Sequence, residues 1–234
     1  MRKEILINSN IAGACHIGSA LSCVEILQVI HKVKKKDDVF LFAKASGVAA
    51  YYCLLAEQGI IPKDKVAEYL RDYPLPSKEV PGVVLSCGSC GHGLNVAVGM
   101  AFADREHDVY CLIGDGELNE GSTWEAILFA GHHKLKNLKV VVDYNHLQAC
   151  GRTEDILDLE PLEDKFEAFN WHTFKTGGHN KRWLEIGLTL PTKKPIMIIA
   201  DTTKGKGVDF LENRVDSHYK NLDNQLLQRA LEQL

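Results

Sequence analysis

The sequence predicts an α/β fold in which a mostly parallel sheet carries helices on both faces. Two observations favour it: short apolar runs alternate with longer segments of helical periodicity, and several runs end in polar, glycine-containing turns. The chain of 234 residues is long enough to bury a sizeable core, and no linker or low-complexity tract divides it. We therefore expect a single domain over residues 1–234.

The apolar runs and the helical patterns define the expected elements in chain order. Strands are expected at residues 39–43, 83–86, 109–113, 140–143, 172–176 and 196–201. Helices are expected at residues 22–33, 47–58, 63–72, 92–105, 123–133, 162–169, 182–190 and 221–234. Pro62 suits the start of the helix that follows it. Ligands in a sheet of this kind bind beyond the carboxyl ends of the strands.

Composition and charge exclude several classes of protein. The formal net charge of −4 gives no broad basic field for nucleic acid. No apolar run approaches the roughly 18 residues of a membrane span. The N-terminus has basic residues but is interrupted by Glu4 and Asn8, so it is a poor signal peptide and the expected location is the cytoplasm.

The seven cysteines show no spacing typical of a disulfide framework, which favours reduced and mostly buried thiols. Cys87 and Cys90 fit the C-x-x-C pattern, with His92 nearby. A zinc site needs further ligands, and the sequence has no second pair. A redox dithiol stays open as an alternative to two small residues in a tight loop before a helix.

Two strand ends carry the side chains that point most directly to chemistry. Residues 109–116 read VYCLIGDG, and residues 138–145 read LKVVVDYN. Neighbouring parallel strands would bring Asp115 and Asn145 to one sheet edge, where carboxylate and amide oxygens suit Mg²⁺ completed by phosphate oxygens. Gly116 would let the backbone approach a diphosphate. A strand that ends in Asp-Gly is by itself usually only a turn, so the spacing alone indicates a metal–diphosphate cofactor weakly.

The sequence around these positions closely resembles the transketolase family. The stretch GDGELNEGSTWEA resembles the thiamine-diphosphate motif of the family. Three further stretches resemble other parts of the family's sequence, in the same order along the chain. The four stretches are residues 88–100, 114–126, 133–145 and 204–208, and the resemblance runs from about residue 12 to about residue 220. It implies the thiamine-diphosphate-binding fold and a transferase that moves a two-carbon unit to an aldehyde or ketone acceptor.

The resemblance also implies the cofactors and their ligands. Thiamine diphosphate would bind with Mg²⁺ or another divalent cation. Asp115, Asn145 and a backbone carbonyl near Leu147 would bind the metal. Gly114 and Gly116 belong to the cofactor motif, with the amide of Gly116 donating to the diphosphate.

Histidines are natural proton carriers for such a site. His16 aligns with a family histidine near the reacting centre, and His218 aligns with one near the diphosphate. Both are expected to be catalytic, and His218 is also expected to bind the cofactor. His92 falls at a loop position that packs against the cofactor in the family. Glu120 and Glu125 match glutamates at the family's dimer interface, although carboxylates in a first helical turn also favour the helix dipole.

Two departures from the family pattern bear on the substrate. Ser46 and Leu75 stand where transketolases carry histidines that face the cofactor and the sugar donor. Their loss removes hydrogen bonds to sugar hydroxyls. We therefore expect poor activity on common ketose phosphates and a donor with fewer hydroxyl groups, such as a 2-keto acid.

The family's pyrimidine-binding domain, with its activating glutamate, resembles no segment of this chain. The chain is therefore expected to be the diphosphate-binding subunit of a split enzyme. The expected partner carries the pyrimidine-binding and C-terminal domains, in an assembly of two copies of each chain that acts on a small molecule. Two alternatives stay open: another thiamine-diphosphate lyase or synthase that uses a 2-keto acid, and a degenerate subunit without turnover.

Overall fold

Parallel strands form one sheet in the computed structural model, which describes residues 1–234. The strands are β1 (Val39–Phe42), β2 (Val109–Gly114), β3 (Leu138–Tyr144), β4 (His172–Gly177) and β5 (Ile196–Asp201). They lie in the order β1-β2-β3-β5-β4, and every neighbouring pair is parallel. The predicted fold class is confirmed, and β2 and β3 lie side by side as the strand-end argument requires.

Helices cover both faces of this sheet. They are α1 (Arg2–Ala12), α2 (Ile17–Ser22), α3 (Val24–Val33), α4 (Val48–Glu57), α5 (Val66–Asp72), α6 (Gly93–Ala103), α7 (Gly121–His132), α8 (Thr153–Ile156), α9 (Leu162–Ala168), α10 (Lys181–Thr189) and α11 (Asn224–Leu231). Single 3-10 turns span Ala45–Gly47, Lys63–Lys65, Asp115–Asn119 and Val215–Tyr219. None of the helices has both the length and the apolar composition that crossing a membrane requires.

Two hydrophobic cores lie on opposite faces of the sheet, because alternate residues of a strand point to opposite faces. In β2, Tyr110 and Leu112 belong to a cluster of 40 buried residues that includes side chains of α1–α5, α10 and α11. Cys111 and Ile113 belong to a second cluster of 24 residues, which includes side chains of α6, α7 and α9. Helices therefore bury both faces of the sheet, and a ligand can reach the sheet only at the ends of its strands.

The strand expected at residues 83–86 is absent. The segment is an irregular loop that follows Gly82, whose φ of 88° lies in the left-handed region. Ser86 Oγ accepts a hydrogen bond from the amide of Lys78, and the amide of Cys87 donates to the carbonyl of Pro76. The prediction was wrong because a run of three apolar residues does not distinguish a strand from an extended loop whose backbone groups pair locally.

The N-terminal third of the chain also differs from expectation. The helix α1 was not predicted, because residues 2–12 mix polar and apolar side chains with weak periodicity. It ends at Gly13, whose φ of 69° is the left-handed conformation typical of a helix end. The single helix expected at residues 22–33 begins instead after Cys23, which separates α2 from α3.

Two helical glycines give opposite predictions for alanine substitution. A Cβ at Gly131 would overlap the carbonyl oxygen of Phe169, so Gly131→Ala should lower the free energy of unfolding by about 2–3 kcal/mol. Gly99 is exposed in α6 with open space around it, so Gly99→Ala should raise the free energy of unfolding by about 0.5–1 kcal/mol. Urea unfolding of the isolated chain measures both, and equal effects of the two variants would contradict the packing described for α7.

Candidate functional site

A cavity of about 330 Å³ lies at the carboxyl ends of β1, β2 and β3. The sequence-predicted residues that line it are His16, Gly114, Asp115, Gly116, Asn145, Leu147 and His218. Asp115 and Asn145 meet there because β2 and β3 end at the same sheet edge, whereas His16 and His218 reach the cavity from the start of α2 and from the 3-10 turn Val215–Tyr219. This is the place where open α/β sheets bind ligands.

Asp115 and Asn145 are both 3% exposed and follow the neighbouring strands β2 and β3. Asp115 Oδ1 accepts a hydrogen bond from the amide of Gly116 at 2.9 Å, and Asp115 Oδ2 accepts one from Thr153 Oγ1 at 3.4 Å. Asn145 Oδ1 accepts one from the amide of Leu147 at 3.2 Å. These bonds orient the carboxylate and the amide oxygen on one side of the cavity.

The donor set at this edge suits a hard divalent cation. Burial raises the pKa of Asp115 to about 6 despite the opposing effect of Lys44, so its charge is undercompensated in the protein alone. Asn145 and the carbonyl of Leu147 add neutral oxygens, the ligand type that Mg²⁺ prefers. An added Cβ at Gly116 would make only ordinary contacts with Gln148, so the protein's own packing leaves room beside this glycine for a ligand. No group of three or more His, Cys, Asp or Glu side chains forms a metal centre.

Two buried lysines in the site were not predicted from the sequence. Lys44, at the end of β1, is 5% exposed and pairs with the fully buried Asp143 at 3.3 Å. Burial opposes this charge, but Asp143 raises the pKa of Lys44 overall. Lys204 is fully buried, and its Nζ donates to the carbonyl of Leu147 at 3.1 Å. Lys204 lies in the matched stretch 204–208, but only the folded chain shows that it lies behind the cavity wall, bonded to the lining residues Leu147 and His218.

The loop that carries Lys204 is held by a chain of hydrogen bonds. The amide of Thr203 donates to His179 Nε2 at 2.9 Å, so the ring proton lies on Nδ1. His179 Nδ1 donates to Glu25 at 2.9 Å, and Arg2 binds both oxygens of Glu25 at 2.6 and 2.7 Å. The bonds to His179 and Arg2 hold the pKa of Glu25 at about 2 although burial alone would raise it. The network therefore connects the first turn of α1 to the cavity.

The two predicted catalytic histidines lie in contact. The rings of His16 and His218 are 5.2 Å apart, and Lys204 Nζ donates to His218 Nδ1 at 2.8 Å. Burial, Lys204, His16 and Lys44 lower the pKa of His218 to about 3. Burial and the lysines also lower the pKa of His16. Both rings are therefore neutral near pH 7, and His218 keeps its proton on Nε2 because Nδ1 accepts from Lys204.

Other residues considered in the sequence fall into two groups. Glu120, Ser46 and Leu75 line the cavity, and Leu75 is 40% exposed. His92 and Glu125 are exposed and do not line it. The expected contact of His92 with a cofactor therefore stays a prediction.

Glu117 was not singled out in the sequence. It lines the cavity at 5% exposure, and burial raises its pKa to about 8.

The C-x-x-C pair gives no redox or metal geometry. Cys87 Sγ donates to the carbonyl of Phe42 at 3.2 Å, whereas Cys90 is exposed at the cavity. Burial raises the pKa of both thiols, which lowers their reactivity.

Comparison with known proteins identifies relatives of the whole chain. Residues 74–234 match the family described as transketolase, thiamine diphosphate binding domain. The chain is 41% identical to one subunit of the apulose-4-phosphate transketolase of Actinobacillus succinogenes, over 100% of this chain and 92% of that protein. It is 35% identical to the 6-deoxy-6-sulfo-D-fructose transketolase subunit SqwG of Clostridium sp. strain MSTE9, over 100% and 93% of the two chains.

The same fold occurs in solved structures. The transketolase of Campylobacter jejuni superposes with a TM-score of 0.85 at 26% identity, over 99% of this chain and 42% of that protein. Human transketolase is 31% identical over 95% of this chain and 39% of its own length. This chain therefore corresponds to less than half of those longer proteins, but to nearly all of the two subunits above.

The contact between Lys204 and His218 yields a prediction about protonation. Lys204→Met removes the nearest cation, so the pKa of His218 should rise from about 3 by roughly one to two pH units, while burial keeps it below its ordinary value. Histidine NMR titration of the isolated chain from pH 4 to 8 should show the start of protonation at His218 at higher pH in Lys204→Met than in the unmodified chain. Lys220→Met is the matched control, because Lys220 pairs with Asp216 and leaves the pKa of His218 unchanged. An unmoved His218 in Lys204→Met would contradict the described electrostatics.

Proposed function

We propose, from the premise that this chain belongs to the transketolase family, that it is the diphosphate-binding subunit of a two-component transketolase. The enzyme would transfer a two-carbon unit to an aldehyde or ketone acceptor. The observation that carries the proposal is the meeting of Asp115, Gly116 and Asn145 at adjacent strand ends in one cavity, in a domain of the thiamine-diphosphate-binding family.

Thiamine diphosphate would lie in the cavity with Mg²⁺ or another divalent cation. Asp115, Asn145 and the carbonyl of Leu147 would hold the metal. The amide of Gly116, which donates to Asp115 Oδ1 in this structure, would donate to the diphosphate, and Lys204 would compensate the diphosphate charge from behind the cavity wall. The cofactor would supply carbanion chemistry toward a carbonyl carbon, and the residues of the chain would hold and orient it. The two buried lysines compensate the negative charge that a diphosphate brings into this edge of the sheet.

The histidines of the cavity suit proton transfer. His218 carries its proton on Nε2, so it can donate a hydrogen bond to a developing oxyanion, and the neutral His16 ring beside it has a nitrogen that can accept a proton from a hydroxyl group. Tyr219 covers His16 with ring centroids 5.1 Å apart and also lines the cavity.

A partner subunit would complete the site. Both relatives of matching length are named as subunits, and an apolar patch on α6 and α7 suits a protein contact. We define the α6–α7 patch by Val96, Phe102, Leu128 and Phe129, which are 39–55% exposed. We propose an assembly of two copies of each chain. Seven free cysteines suit the reducing cytoplasm.

The two alternative functions have less support. A synthase that uses a 2-keto acid would suit the loss of hydrogen-bond donors at Ser46 and Leu75, but both subunit relatives are named transketolases. A degenerate subunit would have little reason to keep a buried Asp115, an oriented Asn145 and two compensating lysines. Ketol transfer is therefore the function that we propose.

The first functional prediction concerns cofactor binding. Calorimetry on the chain mixed with its partner should show thiamine-diphosphate binding with Mg²⁺ and little without it. Asp115→Ala should weaken binding at least about 100-fold, because it removes the only carboxylate of the proposed metal site. Asp201→Ala is the matched control: it removes an exposed carboxylate at the end of β5 and should bind as tightly as the unmodified chain.

A second functional prediction concerns the partner. The isolated chain should not catalyse exchange of the C2 proton of thiamine diphosphate, and exchange should appear when the second subunit is added. The family's activating carboxylate lies on the pyrimidine-binding domain, which no segment of this chain resembles. NMR of the cofactor in D₂O measures the exchange rate. Full exchange by the isolated chain would refute the two-component proposal, whereas metal-dependent binding alone would support only the cofactor assignment.

A further inference from the structure

Three aromatic rings meet in the wall of the cavity, those of His16, His218 and Tyr219. The ring centroids of Tyr219 and His16 are 5.1 Å apart, and those of Tyr219 and His218 are 4.6 Å apart. The interplanar angles within the group lie between 60° and 84°, as in edge-to-face packing, which the charge distribution of aromatic rings favours. Each ring of this group, which we call the ring triad, packs against the other two.

The imidazole of His16 has no strong hydrogen bond that fixes its orientation. Its Nδ1 lies 3.8 Å from Cys15 Sγ, which is a weak hydrogen-bonding group, and its Nε2 makes no hydrogen bond within the chain. His218 differs, because Lys204 Nζ donates to its Nδ1 at 2.8 Å. The orientation of His16 therefore depends on packing within the ring triad, and Nε2 is the nitrogen that remains for a ligand in the cavity.

The turn that carries Tyr219 is fixed against the start of α2. Ser217 in this turn is fully buried, and a Cβ added at Gly18 would lie 2.6 Å from Ser217 Oγ, so the two segments pack closely. The amide of Lys220 donates a hydrogen bond to the carbonyl of Cys15 at 3.1 Å. The segment is therefore held on both sides of the tyrosine, which keeps its ring opposite the imidazole at the start of α2.

The side chain of Tyr219 has no structural partner outside the ring triad. It is 64% exposed, and its hydroxyl makes no hydrogen bond within the chain. Its contribution to the hydrophobic core is small, because most of its surface stays in water. Removal of this ring should therefore leave the fold intact and change the packing of the two imidazoles.

We propose that Tyr219 is a positioning residue, whose ring holds the imidazole of His16 with Nε2 directed to the reacting hydroxyl group of the substrate. The aromatic ring has this role, and the phenolic hydroxyl does not. The inference rests on the proposed function and adds a residue to the same site. For Nε2 to accept a proton, the ring proton must lie on Nδ1, where Cys15 Sγ is the neighbouring acceptor.

The chemistry of two donor classes isolates this role. When a ketose donor releases an aldehyde, a carbon–carbon bond breaks and its electron pair stays with the two-carbon unit. The hydroxyl group of the departing part loses its proton to His16 Nε2, and its oxygen becomes the carbonyl oxygen. A 2-keto acid donor releases CO₂ instead, so no hydroxyl proton leaves in that step. Poor orientation of His16 should therefore slow a ketose donor much more than a 2-keto acid donor.

Steady-state kinetics of the reconstituted enzyme, with glycolaldehyde as the acceptor, tests the inference. Tyr219→Ala should lower kcat with fructose 6-phosphate by roughly 10- to 100-fold and leave KM nearly unchanged, because misplacing a proton acceptor is costly. It should have little effect on kcat with hydroxypyruvate. Tyr219→Phe keeps the ring and should restore kcat to within about twofold of the unmodified enzyme. Trp183→Ala removes another exposed aromatic side chain, outside the cavity, and is the matched control that should change neither rate.

Histidine NMR titration of the isolated chain measures the same contact without turnover. Burial is the main cause of the lowered pKa of His16, and Lys44 and Lys204 add to it. Tyr219→Ala uncovers the imidazole, so the pKa of His16 should rise toward its ordinary value, whereas Tyr219→Phe should leave it in place. The ionisable groups that face His16 are Cys15, Lys44, Lys204, His218 and Tyr219, and only the last is altered.

The pH profile provides a further readout. A neutral imidazole is the proton acceptor, so kcat with fructose 6-phosphate falls as the pH drops through the pKa of His16. A raised pKa should therefore move this acid limb to higher pH in Tyr219→Ala and leave it unchanged in Tyr219→Phe. A loss of kcat in Tyr219→Ala without any shift of the limb would contradict a role through His16.

Other outcomes would also overturn the inference. Equal losses of kcat in Tyr219→Phe and Tyr219→Ala would show that the hydroxyl acts on the substrate. Weaker assembly of the subunits in Tyr219→Ala, with normal kcat at saturating partner, would show that the ring is a partner contact. An unmoved pKa of His16 in Tyr219→Ala would overturn it even in an active enzyme. Absence of transfer from the ketose would contradict the two-component transketolase, and the His16 titration would then decide on Tyr219 alone.

Discussion

The buried ion pair between Lys44 and Asp143 is the interaction on which the rest of the site depends. Asp143 is fully buried near the end of β3, and it also accepts hydrogen bonds from Ser22 Oγ at 2.5 Å and from Thr202 Oγ1. One carboxylate therefore connects the ends of β1, β3 and β5 to α2. Breaking such a pair by removing one partner leaves a buried charge without compensation, which typically costs about 3–5 kcal/mol. The cavity keeps its shape because these strand ends cannot separate without exposing that charge.

Two charged groups of the site are incompletely compensated before any ligand is bound. Burial and the nearby Lys44 lower the pKa of Lys204 to about 8, while burial raises that of Asp115 to about 6. Each group is close to losing its charge in the protein alone, because the buried edge disfavours isolated ions. A divalent cation near Asp115 and a diphosphate near Lys204 would stabilise the charged forms of both side chains. The chemistry of the donor set thus agrees with the family of the chain.

Residues at strand ends could be predicted from the sequence, whereas residues whose burial depends on distant partners could not. Asp115 and Asn145 were predictable because each directly follows an apolar strand, and parallel strands end together. The places of Lys44 in the cavity wall and of Lys204 behind it were not predictable, since the burial of the two side chains depends on Asp143 and Leu147, which are distant in sequence. The helix α1 was missed for a similar reason. Its stability comes from packing against α4, α5 and α11 rather than from its own periodicity.

The α6–α7 patch has a consequence for the cell that makes this protein. Phe102 and Phe129 stack edge to face with ring centroids 5.3 Å apart, and both are at least 40% exposed. A chain that is synthesised in excess of whatever covers this patch presents aromatic surface to other proteins, to chaperones and to proteases. Synthesis in balance with whatever covers the patch would keep the exposed population small, and imbalance would lead to aggregation and turnover.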